Sequence, residues 1–557
     1  MQDVLSAQIT RYRDGLQGAL RRLRRQGPGQ VLFWLIALVI GALAGGVAIG
    51  FREGIALLQL NFYGESDALL HSHLSTLEWY WVVGIPVAGG FIVGLILWRF
   101  TPDGRGRSVA HVIEGAALHH GRVEKEAGLA SAAASLITLS TGGSTGREGP
   151  VVHLAALIST AVSNWLRAPD ITARDLMGCA VAGAVSASFN APIAGALFAL
   201  EVILRHFAIH AFAPIVVASV SATVVSRLWQ GDLPEFSLPE HSLAFYVELP
   251  AFMVLGLICG LVAVVMMKAI FLAENAGDRI TRRLNLWLPL RPALAGLLLG
   301  LIATQFPHII GVGYETTSRA LNGELVMWSA ILFAVVKVIA VALTMAGRMG
   351  GGVFSPSLML GALTGLAFGW VSTSIFPTVS GSETLYALAG MGAVAAAVLG
   401  APISTTLIVF EMTGDWQAGI AVMVAVSLAS AVAVTLVDRS FFLTQLERAG
   451  HHVAAGPQDY VQCTITAGAL MRPRGAENGA SDTQSWSLVE QGAYLTRSDT
   501  LEKALPLFDR IGGNMIPVVK TSKDEGGTPE LLGAVFHVDA LKAFNRALAD
   551  VAKEEHS

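Results

Sequence analysis

One ionisable pair stands alone in a long apolar stretch. Across residues 127–166 the only formal charges are Arg147 and Glu148, adjacent in the run GGSTGREGP (142–150). Charge is costly in apolar surroundings, and inside a membrane protein it marks a functional site by default. Gly142, Gly143, Gly146 and Gly149 let the backbone turn tightly, and Pro150 suits the first turn of a helix, where its missing N–H costs nothing. The motif predicts a Gly-rich loop that delivers Glu148 to the N-terminus of an apolar helix over 151–166. Free N–H groups and the macrodipole favour negative charge there. Such an arrangement is an anion site with a carboxylate at its door.

The elements that must position this pair lie in a bilayer. The chain is 53% hydrophobic and 14% charged, against about 25% charged in ordinary globular domains. Eleven uncharged windows of 18 residues or more run from 31–51 to 416–437. Spanning takes roughly 20 apolar residues, so the pattern is that of a polytopic helical membrane protein, and several windows are long enough for two broken segments. The 59 glycines suit helices packed closely through small residues. A net charge of −4 gives no reason to expect a nucleic-acid partner, and Cys179, Cys259 and Cys463 lie too far apart for a disulfide framework or a metal site. There is no activated nucleophile, no phosphate-binding loop with Lys and Ser/Thr, and no dinucleotide fingerprint, so no enzyme is expected.

The ends differ from the middle. Residues 1–29 carry six arginines against Asp3 and Asp14, which by the positive-inside rule keeps them cytoplasmic. The apolar run from Val31 has spanning length, unlike a signal peptide. Beyond Arg439 the apolar windows stop. Three parts are expected: a basic segment 1–29, a membrane domain 30–450 and a small soluble domain 457–557.

The membrane domain repeats itself. GREGPVVHLAAL (146–157) aligns with GVFSPSLMLGAL (352–363) at an offset of 206, matching Gly146 to Gly352 and Pro150 to Pro356. NAPIAGALFALE (190–201) aligns with GAPISTTLIVFE (400–411) at 210, matching Pro192 to Pro402 and Glu201 to Glu411. Repeats broken by Gly and Pro at corresponding places point to a midplane site built from helix ends. Whether the second copy is inverted is left open by the sequence.

Together, GREGP (146–150), AGAVSASFNAPIAGALFALE (182–201), GGVFSPSLMLGA (351–362) and GAPISTTLIVFEMTGD (400–415) resemble the CLC family of chloride channels and chloride/proton antiporters, in order and spacing, over roughly residues 30–450. The resemblance implies a homodimer in a lipid bilayer, one anion pathway per subunit, and inverted halves of tilted, broken helices. It implies anion binding by helix N-termini around Gly146, Arg147, Gly149, Val353, Phe354 and Ser355. It also makes Glu148 the external gate, competing with chloride and moving aside when protonated. No metal is expected.

Three departures from the family pattern bear on the subtype. The selectivity loop, usually Gly-Ser-Gly-x-Pro, reads DGRGRSVAHVIEGAAL (103–118). An ungapped match puts Arg107 on the anion-binding serine; a shift of one residue puts Ser108 there. Where antiporters often carry a second, proton-transferring glutamate, the chain has Glu201-Val202, and Val202 cannot hold a proton. Glu201 and Glu411 are read as structural, satisfying amides at helix ends. The inner-gate tyrosine is replaced at Phe441-Phe442, with Phe442 the chosen position and no phenol to donate. His153 is read as packed.

In the tail, residues 500–521 and 530–548 look like one CBS unit. Such units pair to bind adenine nucleotides, but 464–499 match a first copy poorly, so a nucleotide is unsupported and no cofactor is expected; a domain that stabilises a dimer is the alternative. The function expected is anion transport gated by Glu148, favoured as a passive chloride channel, with chloride/proton antiport as the alternative. A bacterial inner membrane is the expected location, with both terminal segments cytoplasmic.

Overall fold

A computed structural model describes residues 30–66, 69–205, 207, 209–231, 245–377, 380–413, 416–451, 453, 462, 465–476, 478–520 and 530–556. The basic segment 1–29, with Asp415, His452 and Cys463, lies outside them. The chain divides into two compact units, one running to His451 and one formed by the C-terminal residues.

Among the described residues, the elements of the first unit are all helices. Its helices are α1 Gln30–Tyr63, α2 Leu70–Leu74, α3 Trp79–Phe100, α4 Val109–Leu118, α5 Lys125–Thr141, α6 Glu148–Leu166, α7 Asp170–Phe189, α8 Pro192–Phe198 and α9 Ile209–Gln230. There follow α10 Phe245–Arg283, α11 Leu290–Ala303, α12 Tyr314–Leu321, α13 Met327–Ala346, α14 Phe354–Ile375, α15 Glu383–Leu399, α16 Pro402–Thr413, α17 Trp416–Val437 and α18 Phe441–Arg448. A π-helical turn, Ala199–Leu204, continues α8. Among the described residues, eight helices are long and apolar enough to cross a membrane, and shorter apolar helices, α4, α8 with its π turn, α11 and α15, stand between them. These are the broken segments that the Gly- and Pro-rich windows imply.

The breaks are local chemistry. Asn190 ends α7 and Gly400 ends α15, both in the left-handed region, where glycine and asparagine are tolerated best. Each is followed by Ala-Pro, and the proline opens the next helix, where its missing N–H is no loss.

The two halves face each other across a pseudo-twofold axis. Gly146 donates to the Gly352 carbonyl at 2.7 Å and Gly352 donates back at 2.8 Å. Glu411 accepts the amides of Ile193 and Ala194 at 2.9 and 2.8 Å, and Glu201 accepts those of Ile403 and Ser404 at 2.9 and 2.8 Å. Each contact recurs with the two copies exchanged, the mark of an isologous contact. Helices α3 and α11 obey the same rule. A Cβ on Gly90 would lie 2.4 Å from the Pro292 carbonyl oxygen, and one on Gly296 2.1 Å from that of Pro86. Only glycine permits this approach. Along the pair, Gly94 meets Pro289 while Gly300 meets Val83, so these equivalent helices run antiparallel. In a bilayer that turns the second copy upside down: the repeat is inverted.

The second unit holds a four-stranded sheet in the order β1-β4-β3-β2, where β1 is Arg472–Pro473, β2 Leu495–Thr496, β3 Met515–Lys520 and β4 Glu530–Phe536. Strands β3 and β4 pair antiparallel and β2 joins β3 in parallel. Helices α19 Ala467–Leu470, α20 Asp482–Glu490, α21 Leu501–Ile511 and α22 His537–His556 accompany the sheet. Leu501, Phe508, Ile516, Val518 and Val535 form its core. The expected helix, two strands and closing helix over 500–548 are all present.

Candidate functional site: a carboxylate seated on the helix start of the other repeat

Three helix N-termini, those of α4, α6 and α14, meet near the axis, each following a Gly-rich loop. Glu148 is the first residue of α6 and is 2% exposed. Its carboxylate leaves its own helix and seats on α14 instead. There the Ser355 N–H donates to Oε2 at 3.4 Å, and the Ser355 hydroxyl donates to Oε1 in a short contact. The sequence places the carboxylate at the N-terminus of the helix it begins; the structure places it at the equivalent terminus of the other copy. Gly146 makes room for it, because a Cβ there would stand 2.7 Å from Glu148 Oε2.

Beneath this contact lies a cavity lined by Ser108, Gly149, Val353, Phe441, Phe442 and Gln445. Of the residues singled out from sequence, Ser108, Gly149, Val353 and Phe442 line it together. Phe441 and Phe442 are both buried, and Phe441 stacks on Phe271 at 5.2 Å, so the aromatic floor is apolar. Phe354 packs on Phe189 and Phe198, at 4.7 and 5.9 Å.

One expectation about a side chain is corrected. Arg107 does not reach this cavity. Its backbone N–H donates to Ser131 Oγ at 2.7 Å, and its guanidinium binds Asp103 at 3.0 Å and Glu124 at 3.1 Å. It lines a separate polar cavity with His111, His119, His153 and His451. Two carboxylates hold it there, so the register that puts Ser108 in the anion position fits the geometry. Arg147 likewise turns aside, stacking its guanidinium on Tyr314 at 4.7 Å.

The remaining candidates are accounted for. Glu201 adds a bond from Ser404 Oγ at 2.5 Å to its two backbone partners, as a structural carboxylate should. Val202 is buried within the π turn. His153 is buried on α6, with Nδ1 lacking a hydrogen-bond partner.

Several residues at the site escaped sequence reasoning. Arg105, Arg291 and Arg348 all converge on Asp278, and all four line the cavity. They come from two helices and two loops, and no spacing announces them. His111, whose Nδ1 accepts the Ser108 N–H at 3.1 Å, stands three residues after a serine, where a capping partner can be sought.

Comparison with known proteins agrees with this architecture. The profile of the voltage gated chloride channel family, CLC, matches residues 89–434. A protein described as voltage-gated ClC-type chloride channel ClcB, from Escherichia coli (strain UMN026), is 30% identical over 407 residues, covering 72% of this chain and 96% of its own. The fold is similar to the crystal structure of a slow cyanobacterial Cl−/H+ antiporter, with a TM-score of 0.67 and 21% identity over 75% of this chain and 97% of that one. It is also similar to a eukaryotic CLC transporter, with a TM-score of 0.63 and 18% identity over 94% and 98% of the two chains. The chain, with its inverted repeat and its carboxylate seated on a helix N-terminus, belongs to the voltage-gated chloride channel (CLC) family.

Proposed function

We propose that the protein is a passive membrane pathway for chloride and other small anions, gated by Glu148. The observation that carries this reading is the Glu148 carboxylate on the Ser355 amide and hydroxyl, a negative group seated where an anion is welcome. A carboxylate there competes with the permeating ion, and its protonation removes the charge that holds it. Helix N-termini carry about half a unit charge, enough to bind an anion and too little to trap it, as conduction requires. Passive conduction is favoured by what stands elsewhere. Glu201 spends both oxygens on the α16 amides, Val202 cannot carry a proton, and Phe442 has no hydroxyl for a passing anion.

Chloride/proton antiport is the alternative, and the buried Glu148 itself supports it, since an exchanger needs one group that alternates between proton and anion. Liposomes loaded with chloride decide between the two. Fast chloride efflux without proton movement supports the channel; uphill proton flux driven by a chloride gradient overturns it in favour of the exchanger.

The reading extends to a multi-pass protein of a bacterial inner membrane, with cytoplasmic ends on the strength of the six arginines in 1–29. It includes a homodimer with one pathway per subunit and a CBS-like soluble domain. Crosslinking in native membranes checks the dimer.

A further inference from the structure

We infer that His111 sets the anion preference of this pathway, by holding Ser108 in the posture that turns its hydroxyl into the cavity. The inference rests on the cavity being the anion route. Ser108 is the residue before α4, extended at φ −141° and ψ −167°. Its N–H donates to His111 Nδ1 at 3.1 Å, while the His111 N–H donates back to the Ser108 carbonyl at 3.1 Å. This double tie fixes the backbone on both sides of the serine side chain.

In an ordinary helix cap the serine hydroxyl accepts an N–H from the first turn. Ser108 and His111 are arranged as a capping box, the serine side chain turned to the His111 N–H and the ring to the Ser108 N–H, but no side-chain bond of full hydrogen-bond geometry caps the helix, and the hydroxyl proton is not used by the cap. Ser108 Oγ is buried and has no hydrogen-bond partner, though it lines the cavity shared with Gly149, Val353 and Phe442. A buried hydroxyl without a partner is costly, and the cavity is where a partner from outside the chain can sit. Because His111 takes the Ser108 amide, the hydroxyl is left as the donor this residue offers to an anion.

With the amide at Nδ1, the neutral imidazole carries its proton on Nε2, and Arg107 Nη1 approaches that atom at 3.4 Å. Two donors face each other, so this contact is not a hydrogen bond. Arg107 is kept in place by Asp103 and Glu124 and makes no bond to the ring. His111 is thus a positioning residue that acts through Ser108.

The test compares His111→Leu, His111→Gln and Ser108→Ala in the full-length protein. Chloride binding is read by calorimetry, and the chloride/nitrate/bromide order by efflux from liposomes. Loss of the acceptor in His111→Leu should weaken chloride binding about fivefold, the worth of one ordinary hydrogen bond, and shift the anion order in the direction of Ser108→Ala. His111→Gln, which keeps an acceptor at the place where capping pairs use Gln, should restore both. His111→Ala takes the place of the leucine variant if that variant does not assemble. A native anion order in His111→Leu or His111→Ala, with Ser108→Ala altered, overturns the role of His111 and leaves the anion route standing. So does a glutamine variant as impaired as the leucine one. A native order in Ser108→Ala removes the anion route at this cavity, and the inference with it.

Discussion

Glu148 and Ser355 belong to opposite copies of the repeat, and the carboxylate of one closes on the amide and hydroxyl of the other. The carboxylate is therefore held by a hydroxyl as well as by a helix end. Hydrogen bonds to charged groups contribute about 1.5–3 kcal/mol. Ser355→Ala should raise chloride efflux at neutral pH about tenfold or more, because the closed state loses one such bond. Glu148→Gln should raise it further and abolish its pH dependence. Efflux rates across a pH series check both, and a pH response that persists in Glu148→Gln places the gate elsewhere.

Glu201 and Glu411 are predicted to matter for stability and not for selectivity. Each alanine variant strands two amides, at about 1–3 kcal/mol apiece. Glu201→Ala should cost about 1 kcal/mol more than Glu411→Ala, since Ser404 Oγ also donates to Glu201. Thermal unfolding of the two variants measures the difference, and the anion order should remain native in both.

Arg107→Ser should leave the anion order untouched. The substitution removes ion pairs to Asp103 and Glu124, whose side chains are 45% and 65% exposed. Such pairs contribute about 0–1 kcal/mol. An altered chloride/nitrate ratio in this variant would return Arg107 to the anion site.

The soluble unit should lose stability in acid. Burial opposes the charge on Asp499, but Lys503 at 2.8 Å and the Thr496 N–H at 2.6 Å outweigh it and hold the carboxyl below the usual carboxylate range. A group depressed in the folded state stabilises above its unfolded value, about 3.9, and that stability fades as the pH falls through the lower folded value. Asp499→Asn should therefore weaken the unit at pH 7 and narrow its difference from the native protein near pH 3. Hydrogen exchange over 495–520, corrected for intrinsic rates, follows the effect.

The sequence carries the frame of this molecule more fully than its site. Glycines and prolines at a fixed offset expose the repeat, because close helix contacts and helix starts tolerate little else. The structural reading of Glu201 and Glu411 follows from the same logic. Direction is not encoded that way: inversion becomes visible only when Gly90 is seen against Pro292 and Gly296 against Pro86. Helix α13 is missed by a search for uncharged windows because Lys337 interrupts it. That lysine is 1% exposed and donates to the carbonyls of Ile309 and Gly311, so its charge is met inside the protein. Whether Arg107 or Ser108 lines the cavity depends on which way Arg107 turns, and Asp103 and Glu124 decide that through contacts no alignment shows.

The frame reads alike from either side of the bilayer, and its chemistry does not. At the offset of 206 that relates Gly146 to Gly352, the counterpart of Glu148 is Phe354. One of two equivalent helix starts thus carries a removable charge, and the other a ring packed on Phe189 and Phe198. The two ends of the frame are told apart by a single mismatched pair, a carboxylate at one helix start and an aromatic ring at the other.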